Sequence, residues 1–186
     1  DEAKQAMAGA NPQMRKAVAR ASEVLQGAIQ ESRNIMNDLH PPLSEQHGIM
    51  PLIEDDLRHL QQDTNCRVKS YADYPVRLPP GVEVALYRIS QEALMNIRRH
   101  APTARNVIVS LRCRHKTASF QIQDDGPGFD AKAVAQDHRV GGIASMRRRA
   151  EAIGGSLEVT SIPGCGTRVT ARIPVADEYC TEASLK

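Results

Sequence analysis

Arg88, Glu92, Asn96 and Arg99 recur at steps of four, four and three residues within Val82 to His100. On an α-helix these positions fall within roughly 80° of arc. One stripe therefore carries a carboxylate, an amide and two guanidiniums beside a core face of Val82, Leu86, Ile89, Ala93 and Ile97. Such a stripe either points into a cleft or is a solvated, salt-bridged face, and this helix alone favours the solvated face. Asn96 resists that reading, because asparagine is a weak helix former in mid-helix and its amide oxygen is a good neutral ligand for Mg²⁺. A second group, Asp124-Asp125-Gly126-Pro127-Gly128-Phe129, directly follows a predicted strand. An aspartate there can accept a hydrogen bond from an exocyclic amine, and glycines let backbone approach a ligand closely. The same six residues would also make an ordinary turn. Gly141-Gly142 precedes a helix whose unpaired first amides could hold phosphate oxygens, although a loop-to-helix junction is common. Gly164-Cys165-Gly166-Thr167 is by default a hairpin turn. The chain has no G-x-x-x-x-G-K-[ST], which excludes a P-loop.

The elements that must position these groups follow from periodicity and from turn residues. Gln13 to Leu39 carries apolar or small residues at alternating steps of four and three, a heptad seam that Ala17, Val24, Ile29 and Met36 widen to four-helix-bundle breadth. Pro41-Pro42 ends that helix. Pro51 starts a short amphipathic helix to about Gln62, and Cys66 to Ala72 is a strand. Pro79-Pro80-Gly81 introduces the helix to His100, which Ala101-Pro102 stops. Asn106 to Arg114 and Thr117 to Gln123 alternate as strands. Asp125 to Gly142 is a loop, Ile143 to Ile153 a helix, and Ser156 to Ser161 and Thr167 to Pro174 a closing hairpin. Strands and helices mix without strict βαβ alternation, which predicts an α/β sandwich with a mixed sheet.

Composition narrows the classes further. Of 186 residues 41% are apolar, enough for a core, but two Phe, four Tyr and no Trp make that core aliphatic. With 24 basic and 22 acidic residues the overall charge argues for no polyanion partner. The four cysteines are scattered, which speaks against zinc or a disulfide framework and fits a reducing cytosol. No apolar run approaches the ~20 residues needed to span a bilayer.

Taken in order, these pieces resemble the GHKL ATPases and, within them, the sensor histidine kinases of two-component systems. Arg88 to Ala101 (RISQEALMNIRRHA) is similar to that family's N box, Asp124 to Phe129 (DDGPGF) to its G1 box, Gly142 to Ala150 (GIASMRRRA) to its G2 segment and Gly164 to Thr167 (GCGT) to its last glycine-threonine turn. Each box is weak alone, and four in this order are specific. Asn37 to Leu43 (NDLHPPL), the short helix near Pro51 and a brief lid resemble the nitrate/nitrite-sensor subfamily, which implies a LuxR/NarL-type response regulator as partner.

The resemblance, which spans about Gln13 to Pro174, implies a Bergerat-type ATP-binding fold, a mixed sheet with helices on one face, over residues 46–176. A partial helical-bundle dimerisation segment over 1–45 precedes it, and a disordered tail over 177–186 follows. It implies ATP and Mg²⁺ as cofactors, with Asn96 on the metal and Asp124 on the adenine amine in a pocket shaped by Gly126 and Gly128. Arg99, His100 and Gly142 would contact phosphate, Thr167 would close the adenine pocket, and Glu92 would be the catalytic carboxylate acting on the attacking histidine.

The activity implied is a histidine protein kinase: γ-phosphate passes to a histidine on an upstream bundle helix of a homodimer, then to the regulator. The portion is expected in the cytoplasm, in a full-length protein that a membrane can anchor, with no direct nucleic-acid contact. Two departures stand out. Ser145 replaces the glycine usual before Met146, and no acceptor-histidine motif occurs in Asp1 to Ala8. The chain, which starts at Asp1, is therefore expected to be a fragment that binds ATP without phosphorylating itself. His40, followed by two prolines at a helix C-terminus, reads as structural. His47, His59, His115 and His138 read as surface residues, and Arg147-Arg148-Arg149 as helix surface or a phosphate contact. The alternative function is a nucleotide-binding, dimerising regulatory module without phosphotransfer; intact Glu92, Asn96 and Asp124 argue for the kinase.

Overall fold

The computed structural model describes residues 48–74, 77–130 and 141–180. The predicted bundle helix, His40, His47 and His138 lie outside the described residues.

Helix α1 spans Met50–Thr64, slightly longer than its sequence pattern predicts. Pro51 opens it, Met50, Ile53, Leu57 and Leu60 form its buried stripe, and Asn65 in left-handed geometry (φ 56°) closes it by donating its N–H to Gln61 O at 3.1 Å. Strand β1 (Arg67–Asp73) leads to helix α2 (Pro80–His100). Pro80 costs α2 no hydrogen bond, because first-turn amides have no partner within the helix. The approach is fixed by Glu83, fully buried, whose carboxylate accepts the Leu78 N–H at 2.9 Å and pairs with the Arg77 guanidinium at 3.0 Å. Arg98, Arg99 and His100 fill the last turn, where positive charge suits the helix dipole.

Strands β2 (Asn106–Arg114) and β3 (Thr117–Asp124), helix α3 (Gly142–Glu151) and strands β4 (Ser156–Ile162) and β5 (Gly166–Pro174) complete the domain. The sheet order is β1-β2-β3-β5-β4, with β1 parallel to β2 and every other pair antiparallel, so the sheet is mixed as predicted. Alternation sends Val107, Val109, Leu111, Cys113, Ala118, Phe120, Ile122, Val169, Ala171 and Ile173 into the core, although in β5 Thr170 is buried as well. The other face is more open, with Ile108, Arg112, Arg168 and Arg172 exposed on it. The helices pack against each other, α1 on α2 and α2 on α3, over the buried face. Phe120, 1% exposed, is the largest fully buried side chain, and burying a side chain of this class stabilises the fold by ~1.5–3 kcal/mol.

Past β5 the predicted tail does not begin as disorder. Val175 donates its N–H to Lys116 O at 2.9 Å, the Lys116 ammonium pairs with Asp177 at 2.8 Å, and Asp177–Tyr179 forms a 3₁₀ turn. Tyr179 and Cys180 are half-buried against the core, and that apolar contact adds to the polar ties. Among the described residues no helix is long and apolar enough to cross a membrane.

Candidate functional site

Asp124 ends β3, one residue beyond the predicted strand, because it is paired on both sides, with Val107 of β2 and Thr167 of β5. Its carboxylate is 5% exposed, and Oδ1 accepts the N–H of Gly126 at 2.9 Å. Burial pushes this carboxyl above its usual 3.8, and backbone N–H donors at Gly126 and Thr167 offset only part of the rise. A buried acceptor of this kind gains from a ligand N–H that stabilises its charged form. Its neighbour Asp125 does a different job. Asp125 Oδ1 accepts the N–H groups of Arg105 and Asn106 at 2.7 and 2.8 Å, and Oδ2 accepts the Asn106 side-chain amide at 2.7 Å. Desolvation works against its charge, but those donors together hold its carboxyl below the usual range. Of two adjacent aspartates, one anchors the loop and the other faces inward.

The glycine loop leaves no room for side chains where it crosses other elements. A Cβ on Gly126 would lie 2.6 Å from Ala101 Cβ, just past α2, and one on Gly128 (φ +59°) would lie 2.2 Å from Ile162 O. The loop is also fastened to the β4–β5 hairpin, since Gly164 N–H donates to Pro127 O at 2.7 Å and Phe129 N–H to Ser161 Oγ at 2.9 Å. Ser161 Oγ in turn donates to Gly166 O at 3.0 Å and lies 3.0 Å from Thr167 Oγ1. With the Ser161 proton on Gly166 O, Thr167 is the donor to Ser161, and the Thr167 oxygen keeps lone pairs for a ligand or water. Sequence reasoning missed Ser161, Asp125 as anchor and Ala101. Hairpin register held the signal for Ser161, because a turn centred on Pro163 to Cys165 sets it opposite Thr167.

The α2 stripe divides in the structure. Arg88 is 5% exposed, donates Nη1–H to Gln91 Oε1 at 2.7 Å and lies 5.9 Å from the Tyr87 ring centre, so it is core rather than cleft. Glu92 is half-buried under the start of α3: a Cβ on Gly142 would lie 2.0 Å from Glu92 Oε1. Burial raises the Glu92 carboxyl above its usual 4.5, only partly countered by the Arg99 and Arg149 guanidiniums. Arg149 is thus the member of the arginine triplet whose charge is felt at this carboxylate. Asn96 is half-buried, and no described residue hydrogen-bonds its side-chain amide. Arg99 and His100 are exposed on the last turn.

Two glycine contacts locate these residues along α2. Glu92 touches the Gly142 backbone, and Ala101 touches the Gly126 loop. At 1.5 Å per residue the contacts lie about 13 Å apart along the axis, with Asn96 between them. At the Gly142 end, α3 starts without a side-chain cap and without an acidic residue in its first turn. Its first amides are therefore available to an anion. Among the described residues no cluster of three or more His, Cys, Asp or Glu could hold a metal alone. The uncommitted amide oxygen of Asn96 is compatible with Mg²⁺, which takes few protein ligands and keeps waters and phosphate oxygens.

The chain is similar to known proteins in sequence and in fold. Residues 81–177 match the model of the "Histidine kinase-, DNA gyrase B-, and HSP90-like ATPase" family. A sensor-like histidine kinase of Chloroflexus aurantiacus is 34% identical over 152 residues, covering 78% of this chain and 25% of the relative. The sensor histidine kinase MctS of Rhizobium johnstonii is 32% identical over 157 residues, covering 83% of this chain and 34% of the relative. The chain thus spans about a quarter to a third of the length of these two relatives. Its fold is similar to the histidine kinase domain of the Erythrobacter litoralis EL346 blue-light activated histidine kinase, at TM-score 0.53 and 20% identity over 76% of this chain and 69% of that one.

Proposed function

The chain belongs to the histidine kinase-, DNA gyrase B- and HSP90-like ATPases, and on that premise we propose that it is the ATP-binding catalytic part of a sensor histidine kinase. The observation that carries the reading is the reach of α2 between two glycine turns, with Glu92 at the Gly142 contact and Asn96 between it and the Gly126 contact. Asp124 accepts the adenine amine at one end, with Gly126 and Gly128 keeping the backbone close and Thr167 closing the pocket. At the other end Gly142 and the first amides of α3 receive phosphate oxygens; Arg99, whose charge is felt at Glu92, reaches toward them from the last turn of α2, and His100 beside it adds a donor. Asn96 holds Mg²⁺, which when bound neutralises phosphate charge and orients the γ-phosphate. Glu92, its carboxyl raised by burial, is suited to accept a proton from an attacking histidine imidazole. Positioning and charge neutralisation carry most of the rate in such a transfer.

The acceptor histidine belongs on an upstream bundle helix of a homodimer, in a protein whose full length a membrane can anchor and whose kinase portion works in the cytoplasm. The phosphate then passes to a response regulator, of the LuxR/NarL type on the strength of Asn37 to Leu43. The chain binds ATP. The test is Asn96→Asp: calorimetric titration with ATP and Mg²⁺ is expected to show binding lost, while thermal melting is unchanged. Wild-type affinity in that variant removes the metal role. Label from γ-labelled ATP on the chain as given, abolished by His40→Ala, moves the acceptor histidine into this segment.

A further inference from the structure

Cys113 is the penultimate residue of β2 and is fully buried. The end of the chain returns to it through three ties. Val175 N–H donates to Lys116 O (2.9 Å), the Lys116 ammonium pairs with Asp177 (2.8 Å), and Cys180 N–H donates to Asp177 O (2.9 Å) to close the 3₁₀ turn. Because Lys116 sits in the β2–β3 turn, these ties bring Cys180 back to the end of β2. There it packs half-buried against the core, within hydrogen-bonding reach of the Cys113 thiol. Of the other two cysteines, Cys66 is buried beside β1 and Cys165 is exposed in the β4–β5 turn.

We propose that Cys113 and Cys180 are a reversible dithiol–disulfide site, oxidised by a low-molecular-weight disulfide of the glutathione class, that fastens the segment from Val175 to Cys180 onto β2. Cys180, the accessible partner, enters as thiolate and attacks one sulfur of the small disulfide, whose S–S bond breaks and releases one thiolate. Cys113 then gives up its proton and attacks the Cys180 sulfur, expelling the second small thiolate. Two protein thiols lose two electrons and two protons, and one small disulfide becomes two small thiols. Burial, with the hydrogen bond that the Cys113 thiol donates to Cys180, pushes the Cys113 thiol up to about 12, so Cys180 meets the oxidant first and Cys113 reacts second. The reaction joins two residues whose thiols already interact in the reduced form.

The experiment treats the chain with excess oxidised glutathione, alkylates free thiols after unfolding, and maps the peptides by mass spectrometry. Cys113 and Cys180 are expected to leave the alkylated pool together, in a monomeric species, and to return on reduction with dithiothreitol. The melting temperature of the oxidised chain should rise by about 5–10 °C, since the bond closes a long loop. Cys180→Ser should leave the reduced protein's melting temperature in place and abolish both effects. Glutathione retained on Cys180 with Cys113 still alkylated, or a Cys180-linked pair of chains, overturns the proposal.

Discussion

Gly142→Ala tests whether Glu92 acts through its position. The added Cβ would stand 2.0 Å from Glu92 Oε1 and 2.9 Å from Cδ. Ordinary contact begins at roughly 3.4 Å, so the carboxylate must retreat by about 1.4 Å. The obstacle is the end of a flexible side chain, and the cost in stability is small. Replacing glycine with alanine at a helix start restricts the unfolded chain and contributes about 0.4–1 kcal/mol in the opposite direction. We therefore expect a melting temperature within a few degrees of the wild type. The effect on phosphoryl transfer should be far larger, since misplacing a group by about 1 Å can cost about 10²-fold. The assay places the substitution in the full-length protein, measures ATP affinity by titration, and follows phosphate incorporation in a single turnover. Transfer at the wild-type rate would refute the role of Glu92. A melting temperature more than about 10 °C lower would refute the claim that a side chain, rather than backbone, absorbs the clash.

Three further outcomes follow from the same contacts. Glu92→Gln should slow transfer by about 10²–10⁴-fold in the single-turnover assay. Because burial raises the Glu92 pKa above 4.5, the charged form opposes folding at neutral pH. The variant should thus be at least as stable as wild type at pH 7, and that advantage should disappear below the unfolded pKa in denaturant titrations. Asp125→Ala should cost about 1–2 kcal/mol at pH 7, discounted for the exposure of this carboxylate. The Asp125 pKa is lowered, so its contribution is present above 3.8 and fades as pH falls through the folded-state value. Urea melts of the two proteins should converge in acid. Gly166→Ala places a Cβ 2.0 Å from the Asp124 carbonyl oxygen at φ +85°. Backbone cannot yield as Glu92 does, and a loss of about 3 kcal/mol is expected, read as a melting temperature lower by about 6–12 °C.

The sequence alone determined the features that depend on near neighbours. Alternation in β2 and β3, the stops at Ala101-Pro102 and Pro163-Gly164, and the buried stripe of α2 are legible because they reflect contacts within a turn or a pleat. The place of Asp124 at the end of a strand was legible in the same way, whereas its burial was not. Other features were decided by the tertiary structure. Arg88 shares its helical stripe with Glu92, yet packing beside Tyr87 takes it into the core. Nothing local shows that Glu83 is fully buried, since only the chain before α2 and its Arg77 make that burial tolerable. Ser161 meets Phe129 and Cys180 returns to Cys113 only once β5 lies between β3 and β4 and the chain end folds back to Lys116. Periodicity tells which face of an element is apolar, but which distant backbone lies against it depends on the order of strands, and that order is set by the packing of the whole sheet.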